Sequence, residues 1–172
     1  MKNGLKKNGN SSFFNPTVGK TDQENVIKSI DAFIREDRDA LYNLAIGTDS
    51  HSREDQGPRS VEFVTAVVIH RRGFGGRYFW QKTTVDKIAT LRDRIYKETM
   101  LSVDFAQSFI PELKMALTNG EKYDLEIHID VGEKGETRTM IKEVVGIVVG
   151  SGFIAKTKPD SYSASIVADK HT

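Results

Sequence analysis

The sequence predicts an α/β fold, with one mixed sheet of five strands and helices on both faces. Three β-branched and aromatic runs follow one another with only polar loops or turns between them, at residues 44–50, 61–70 and 76–85. Two more strand-like runs, at 124–132 and 153–158, alternate with segments of helical periodicity. Short connections favour antiparallel neighbours, and helical crossovers favour parallel ones. The first three strands should therefore be antiparallel and the remainder parallel.

The N-terminal segment divides into a polar arm and a helix. Residues 1–20 are rich in Gly, Asn, Ser and Lys and have no periodicity, which predicts a flexible basic arm before a single domain over residues 21–172. Thr21 and Glu24 have the spacing of a capping box, so a helix should begin there. Its apolar residues recur at helical spacing, at Val26, Ile27, Ile30, Phe33 and Ile34. A charged run then ends the helix.

The remaining elements follow from turn and helix signals. A glycine-containing turn at residues 71–76 joins the second and third strands as a hairpin. A long helical pattern covers residues 87–110, Pro111 kinks it or begins a second segment, and Asn119-Gly120 stops it. An apolar helix is expected over residues 137–149. After the fifth strand, Asp160 is expected to cap a short C-terminal helix.

Composition restricts the chemistry. The 172 residues have a formal net charge of +1, which gives no overall field for nucleic acid, and they include no cysteine. Disulfides and thiolate metal sites are thereby excluded, and a metal would bind Asp, Glu, His or backbone oxygens. No apolar run reaches membrane-spanning length and the N-terminus lacks a signal-peptide pattern, so we expect a cytoplasmic protein without membrane association. The oligomeric state is left open.

Three aspartates are expected at one edge of the sheet. Asp49 lies near the end of the first strand, and strand alternation places Asp130 on the face shared with Glu126 and His128. Asp160 follows the last strand. Open α/β sheets bind their ligands at the carboxyl ends of parallel strands, so these aspartates are predicted to converge there. Taken singly, Asp49 also suits a strand-end or turn aspartate, and Asp160 a simple helix cap.

A fourth carboxylate is expected from the long helix. Glu98 lies in the middle of the apolar stripe of that helix, where a carboxylate is costly to bury unless it is paired or bound to a metal. An ion pair with Arg94, four residues earlier, is the alternative. Four carboxylates without an obligatory nucleophilic side chain suit phosphoryl chemistry with two metal ions, because two cations about 4 Å apart need several acidic oxygens.

Basic and aromatic residues of the predicted hairpin suggest a nucleic-acid surface. Arginines bind phosphates and aromatic rings stack on bases. The alternative is that the aromatic rings belong to the core and the arginines are solvated. The residues concerned are Arg71, Arg72, Arg77, Tyr78 and Trp80.

Four segments carry a resemblance to a known family: GTDSHS, FVTAVVIHRRGFGGRYFW, HIDVGEKGETRTMIKEVVG and KPDSYSASIVADKHT. Over residues 20–172 the chain resembles the uncharacterised bacterial YkuK-like family within the ribonuclease-H-like superfamily. The resemblance implies a ribonuclease-H-like fold and, by analogy, a site that binds Mg²⁺ or Mn²⁺. Its implied metal-binding and catalytic residues are Asp49, Glu98, Asp130 and Asp160, with Asp169 as the competing candidate for the last position.

The histidines depart from the nuclease pattern. His51, His128 and His171 each lie two residues from an aspartate. We interpret them as groups that support the metal ligands or transfer protons, rather than as a zinc site.

Three functions are compatible with these observations. The leading hypothesis is a metal-dependent nuclease that cleaves RNA, hybrids or branched DNA by a two-metal mechanism. The second is a non-catalytic nucleic-acid or protein interaction module with a vestigial acidic site. The third is a small-molecule metallophosphohydrolase that uses the His/Asp pairs.

Overall fold

The computed structural model describes residues 12–52, 60–117 and 122–171. Over these residues the strands are β1 (Phe13–Asn15), β2 (Gly19–Thr21), β3 (Tyr42–Ser52), β4 (Val61–Arg71), β5 (Gly75–Val85), β6 (Tyr123–His128) and β7 (Ile154–Lys156). The helices are α1 (Gln23–Arg35), α2 (Leu91–Ala116), α3 (Ile141–Gly150) and α4 (Tyr162–His171). A 3-10 helix, Glu136–Met140, leads into α3.

The strands form one mixed sheet in the order β2-β1-β5-β4-β3-β6-β7. Strands β3, β4 and β5 pair antiparallel, whereas β6 pairs parallel with β3 and β7 parallel with β6. The predicted fold class is therefore confirmed. Because β3 and β6 are parallel neighbours, their carboxyl ends lie at the same edge of the sheet.

The predicted number of five strands is wrong, because the described residues include a further hairpin. Strands β1 and β2 extend the sheet beyond β5, and their sequence was expected to belong to the flexible arm. Phe13 is buried, and its ring lies 5.8 Å from that of Phe105 on α2. Burial of this ring fixes β1 against the core in spite of its polar neighbours. The rest of the predicted arm, residues 1–11, lies outside the described residues.

Several element boundaries also differ from the prediction. Helix α1 is capped by Asp22 rather than Thr21, since the Asp22 side chain accepts the hydrogen bond from the Asn25 amide. Helix α2 continues through Pro111, because the neighbouring turns are anchored by buried side chains. Strand β6 ends at His128, so Asp130 follows the strand instead of lying within it. The predicted stop at Asn119-Gly120 lies outside the described residues.

Helices cover both faces of the sheet. The larger core lies between the sheet and the face made by α1, α2 and α3. On the opposite face, Val167 and Ala168 of α4 pack against β3 and β4 side chains that include Ala45 and Ala66. In the described part of the chain, none of the helices combines the length and the hydrophobicity needed to span a membrane.

Candidate active site at the carboxyl ends of β3 and β6

Asp49 is the central carboxylate of the candidate site. It lies near the end of β3 and is half-buried. Burial raises the pKa of Asp49, and the negative charges of Asp130 and Asp169 raise it further. The backbone amide of Ser50 and the guanidinium of Arg94 act in the opposite direction. Asp49 is thus in the electrostatic field of two other carboxylates at this edge of the sheet.

Glu98 contributes a buried carboxyl group from α2. It is 4% exposed, as its place in the apolar stripe of the helix predicts. Burial raises the pKa of Glu98 to about 8, and the charges of Asp49 and Asp130 add to the effect. A hydrogen bond from the Ser50 hydroxyl, 2.5 Å from Glu98 Oε1, opposes that shift. Without a bound cation, the protonated form of Glu98 is therefore favoured at neutral pH.

The Ser50 hydroxyl joins Glu98 to Arg94. Arg94 donates to Ser50 Oγ from Nε at 3.1 Å and from Nη2 at 3.0 Å, and to the Ser50 carbonyl oxygen at 2.6 Å. The positive charge of Arg94 lowers the pKa of Glu98, in part opposing burial. Arg94 thus acts on Glu98 through Ser50 as well as through space, a more specific arrangement than the simple ion pair considered from the sequence.

Asp130 already has a cationic partner. The Lys158 ammonium lies 2.7 Å from Asp130 Oδ1. This hydrogen bond raises the pKa of Lys158, and the charges of Asp130, Asp49 and Asp169 add to it. Lys158 therefore places one positive charge among three of the carboxylates.

The two candidates for the last acidic position lie in different surroundings. Asp169, on α4, contributes to the field at both Asp49 and Lys158. Asp160 is exposed in the turn before α4 and lines a cavity of about 420 Å³ together with Glu126 and His128. The structure thus brings Asp169 towards Asp49, while Asp160 faces a separate cavity further along β6.

The three histidines have unlike environments. His51 is exposed near the end of β3. His128 is buried, its Nε2 lies 3.2 Å from Glu126 Oε2, and burial lowers its pKa. His171 stacks on Trp80 with a centroid distance of 3.6 Å and an interplanar angle of 6°. These contacts separate the histidines from one another rather than gathering them into one site.

The basic and aromatic residues of the hairpin divide between the two faces of the sheet. The guanidinium carbons of Arg71 and Arg77 lie 5.6 Å and 4.9 Å from the centroid of the Phe33 ring, on the α1 face. Tyr78 and Trp80 lie on the opposite face against α4. Arg72 is exposed and pairs with Asp124 at 3.1 Å. The five residues therefore do not form a single surface.

The donor chemistry of the site fits a hard divalent cation. Its donors are carboxylate oxygens, the ligands that Mg²⁺ and Mn²⁺ prefer, and Asp130 already binds the cation of Lys158. Among the described residues, no group of three or more Asp, Glu or His side chains stands close enough together to enclose a metal ion. The Asp130 carboxylate contacts Lys158, and the Glu98 carboxyl group contacts Ser50.

Two residues of the site were not singled out from the sequence. Ser50 carried a usable signal, because alternation along β3 places it on the face opposite Asp49, towards α2 and Glu98. No signal in the sequence marked Lys158, because its contact with Asp130 depends on the path of the turn after β7.

Comparison with known proteins agrees with this architecture. A family model described as "Ribonuclease H-like" matches residues 25–172. The chain is 35% identical over 169 residues to the "Uncharacterized protein YkuK" of Bacillus subtilis (strain 168), and the alignment covers 93% of this chain and 96% of the relative. No solved structure gives a significant match. With the mixed sheet and its carboxylates at the ends of β3 and β6, these matches establish that the chain belongs to the ribonuclease H-like family and is similar to YkuK.

Proposed function

We propose that this protein is a divalent-metal-dependent nuclease that hydrolyses phosphodiester bonds in RNA, RNA–DNA hybrids or branched DNA. The observation that carries the proposal is the placement of Asp49 and Asp130 at the carboxyl ends of two neighbouring parallel strands, with the buried Glu98 of α2 beside them. In a family whose fold suggests nucleic-acid processing, such carboxylates are the groups that phosphoryl chemistry requires.

The ions are assigned to Asp49, Glu98, Asp130 and Asp169. Asp169 takes the place first given to Asp160, because its charge reaches Asp49 whereas Asp160 lines another cavity. When bound, Mg²⁺ or Mn²⁺ supplies an activated water and neutralises charge on the phosphate.

The protein's own residues hold and tune these ligands. Ser50 orients Glu98 through a hydrogen bond, and Arg94 fixes Ser50 through three contacts. Both residues favour the ionised form of Glu98, the form that binds a cation. They therefore oppose the effect of burial on the pKa of Glu98.

Proton exchange with solvent is assigned to His51. It is exposed and lies on the same strand face as Asp49, two residues away. His128 is buried against Glu126, and His171 is stacked on Trp80. His128 serves instead to position the end of β6, just before Asp130, and His171 to position the helix that carries Asp169.

A cleavage panel tests the proposal. Purified protein is incubated with an RNA–DNA hybrid, a four-way DNA junction and single-stranded RNA, each with Mg²⁺, Mn²⁺ or EDTA. We expect cleavage of at least one substrate with metal, and a loss of at least about a hundredfold in Asp49→Asn and Asp130→Asn. Asp104→Asn, an exposed aspartate on α2, serves as the matched control. The absence of metal-dependent cleavage across the panel would overturn the proposal.

One observation favours a second function, a nucleic-acid-binding module without catalysis. The ion pair between Lys158 and Asp130 neutralises part of the negative charge of the acidic cluster without any metal. Such a module would bind the same substrates equally well in EDTA and would tolerate Asp49→Asn. Hydrolysis of p-nitrophenyl phosphate without cleavage of any polymer would instead indicate a small-molecule phosphohydrolase.

A further inference from the structure

A strip of partly exposed aromatic rings crosses the face of the sheet that α4 covers, at the end of that helix. The ring centroid of Trp80 on β5 lies 3.6 Å from that of His171 and 6.0 Å from that of Phe14 on β1, and both pairs are stacked. Tyr78 lies 5.8 Å from Trp80 and 5.8 Å from His171. All four side chains keep part of their surface in solvent. This aromatic strip is therefore a contact surface as well as packing for α4.

Strand register connects the aromatic strip to Asp49. Asp49 lies opposite Val64 on β4, and Val64 lies opposite Lys82 on β5. Trp80 is two residues from Lys82 and thus on the same face, and Phe14 lies opposite Trp80. Neighbouring strands lie about 4.8 Å apart, so across the sheet β5 is about 10 Å and β1 about 14 Å from the strand of Asp49. The strip thus continues outwards from the candidate active site.

Three exposed lysines flank the aromatic strip. Lys20 lies opposite Phe14, on the edge strand β2. Lys82 lies on β5, and Lys170 lies in the last turn of α4. Burial lowers the pKa of His171, and the charges of Lys170 and Lys82 lower it further, so both ammonium groups lie near that ring. Positive charge therefore accompanies the rings from the edge of the sheet to the end of α4.

We propose that a single-stranded segment of nucleic acid binds along the aromatic strip and leads its backbone to the carboxylates at the end of β3. Aromatic rings stack on unpaired bases of any sequence, and lysines neutralise phosphates. A duplex hides the faces of its bases, so the single strand is the form that the rings contact. An ion pair with Glu62 at 2.9 Å holds the Lys82 ammonium beside the strip, and the side chain is still 38% exposed. This inference rests on the proposed nuclease function and names the form of its substrate.

Binding in EDTA tests the inference without cleavage. The full-length protein is titrated into a fluorescein-labelled oligothymidylate of about 15 nucleotides, and into the same strand annealed to its complement, with anisotropy as the measurement. We expect the single strand to bind at least about tenfold more tightly than the duplex. Trp80 is the single tryptophan, so its emission should be quenched as unlabelled oligothymidylate binds.

The main variant combines Lys20→Gln, Lys82→Gln and Lys170→Gln. Each phosphate contact to a single strand contributes about 0.7 to the slope of log Kd against the logarithm of the NaCl concentration, so the loss of three contacts should lower that slope by about 2. The matched control makes the same change at three exposed lysines of the helices on the other face, namely Lys28, Lys114 and Lys142. It alters the net charge equally and should keep the wild-type slope.

A second variant tests the rings. Phe14→Leu keeps an apolar side chain but removes the aromatic face, so it should weaken binding of the single strand by about fivefold or more. Phe74→Leu, at an exposed position of the turn between β4 and β5, is the control and should bind as wild type does. Circular dichroism of each variant confirms that the fold is retained.

The outcomes separate the two proposals. Equal binding of single strand and duplex, unchanged Trp80 emission, or a wild-type slope in the triple lysine variant would overturn the aromatic strip as a binding surface. Poly-L-glutamate that displaces the oligonucleotide at equal concentration would overturn the choice of nucleic acid. In these cases, metal-dependent cleavage would leave the nuclease function standing. Binding as expected without cleavage of any substrate would instead overturn the nuclease function and leave the strip as the surface of a binding module.

Discussion

The Ser50 hydroxyl lies 2.5 Å from Glu98 Oε1 and thereby connects the end of β3 to α2. Both groups are buried. The same hydroxyl accepts two hydrogen bonds from Arg94. One small side chain therefore holds the most buried acid of the site in place and lowers its pKa, against the larger effect of burial.

Replacing Ser50 with Ala should destabilise the protein. The change leaves the Glu98 carboxyl group and part of the Arg94 guanidinium without a hydrogen-bond partner, and such a loss costs about 1–3 kcal/mol. Urea denaturation at pH 7 measures the difference. Ser151→Ala is the control, because the Ser151 hydroxyl bonds only its own helix, at the Ile147 carbonyl oxygen. Equal stability of Ser50→Ala and wild type would contradict the role given to this hydroxyl.

Glu98 should make the stability of the metal-free protein depend on pH. Its pKa is about 8 in the folded state against 4.5 as its ordinary value, so the folded state retains a proton that the unfolded state loses. Stability should therefore fall as the pH rises from about 4.5 to 8. In EDTA, Glu98→Gln should lose this dependence and gain about 3 kcal/mol relative to wild type between pH 5 and 8.

The control for this pH series is Glu112→Gln, an exposed glutamate on the same helix. Its thermal denaturation profile should remain parallel to that of wild type from pH 5 to 8. A Glu98→Gln profile that also runs parallel to wild type would show that Glu98 has no raised pKa.

Asp169 and Asp160 should differ in their effect on metal binding. Because Asp169 acts on Asp49 while Asp160 lines a separate cavity, Asp169→Asn should weaken Mn²⁺ binding by at least about tenfold, and Asp160→Asn should leave it unchanged. Isothermal titration with Mn²⁺ provides the measurement. If Asp160→Asn weakened Mn²⁺ binding and Asp169→Asn left it unchanged, the last ligand would be Asp160, as first assigned from the sequence.

The stacking of His171 on Trp80 should anchor the end of α4. Trp80 is the single tryptophan, so its fluorescence reports this contact directly. His171→Ala should change the emission and lower stability by about 0.5–1.5 kcal/mol. His51→Ala, an exposed histidine on β3, is the control. Identical spectra for His171→Ala and wild type would show that the stack is absent in solution.

The β1 strand should contribute to the stability of the domain. Phe13 is fully buried against α2, so Phe13→Ala should cost about 3–5 kcal/mol. Val18→Ala, at an exposed position of the same hairpin, should change stability by less than about 0.5 kcal/mol. If Phe13→Ala were as stable as wild type, β1 would not be held against the core by Phe13.

The sequence predicted the sheet and its parallel and antiparallel parts because the relevant signals are periodic. The apolar stripe of α2 depends on side-chain spacing alone, and it was sufficient to find the buried Glu98. The β1 and β2 hairpin was missed because only Phe13 and Phe14 mark it within polar sequence. Its strands are three residues long, too short to show alternation.

The details of the candidate site depended on tertiary structure. The choice between Asp160 and Asp169 rests on the path of α4 across the sheet, and helical spacing alone does not give that path. The contact between Lys158 and Asp130 likewise depends on how a turn folds back. Arg77 and Tyr78 are adjacent on β5 but lie on opposite faces of the sheet, because alternation separates neighbouring side chains of a strand.

The most direct test of the central claim is a crystal of the protein soaked in Mn²⁺ and measured for anomalous scattering. We predict a peak between the carboxylates of Asp49, Glu98, Asp130 and Asp169, with Asp160 distant from it. A crystal with no peak at the ends of β3 and β6, or with its peak in the cavity beside Asp160 and His128, would contradict the assignment of a metal-dependent site to these carboxylates.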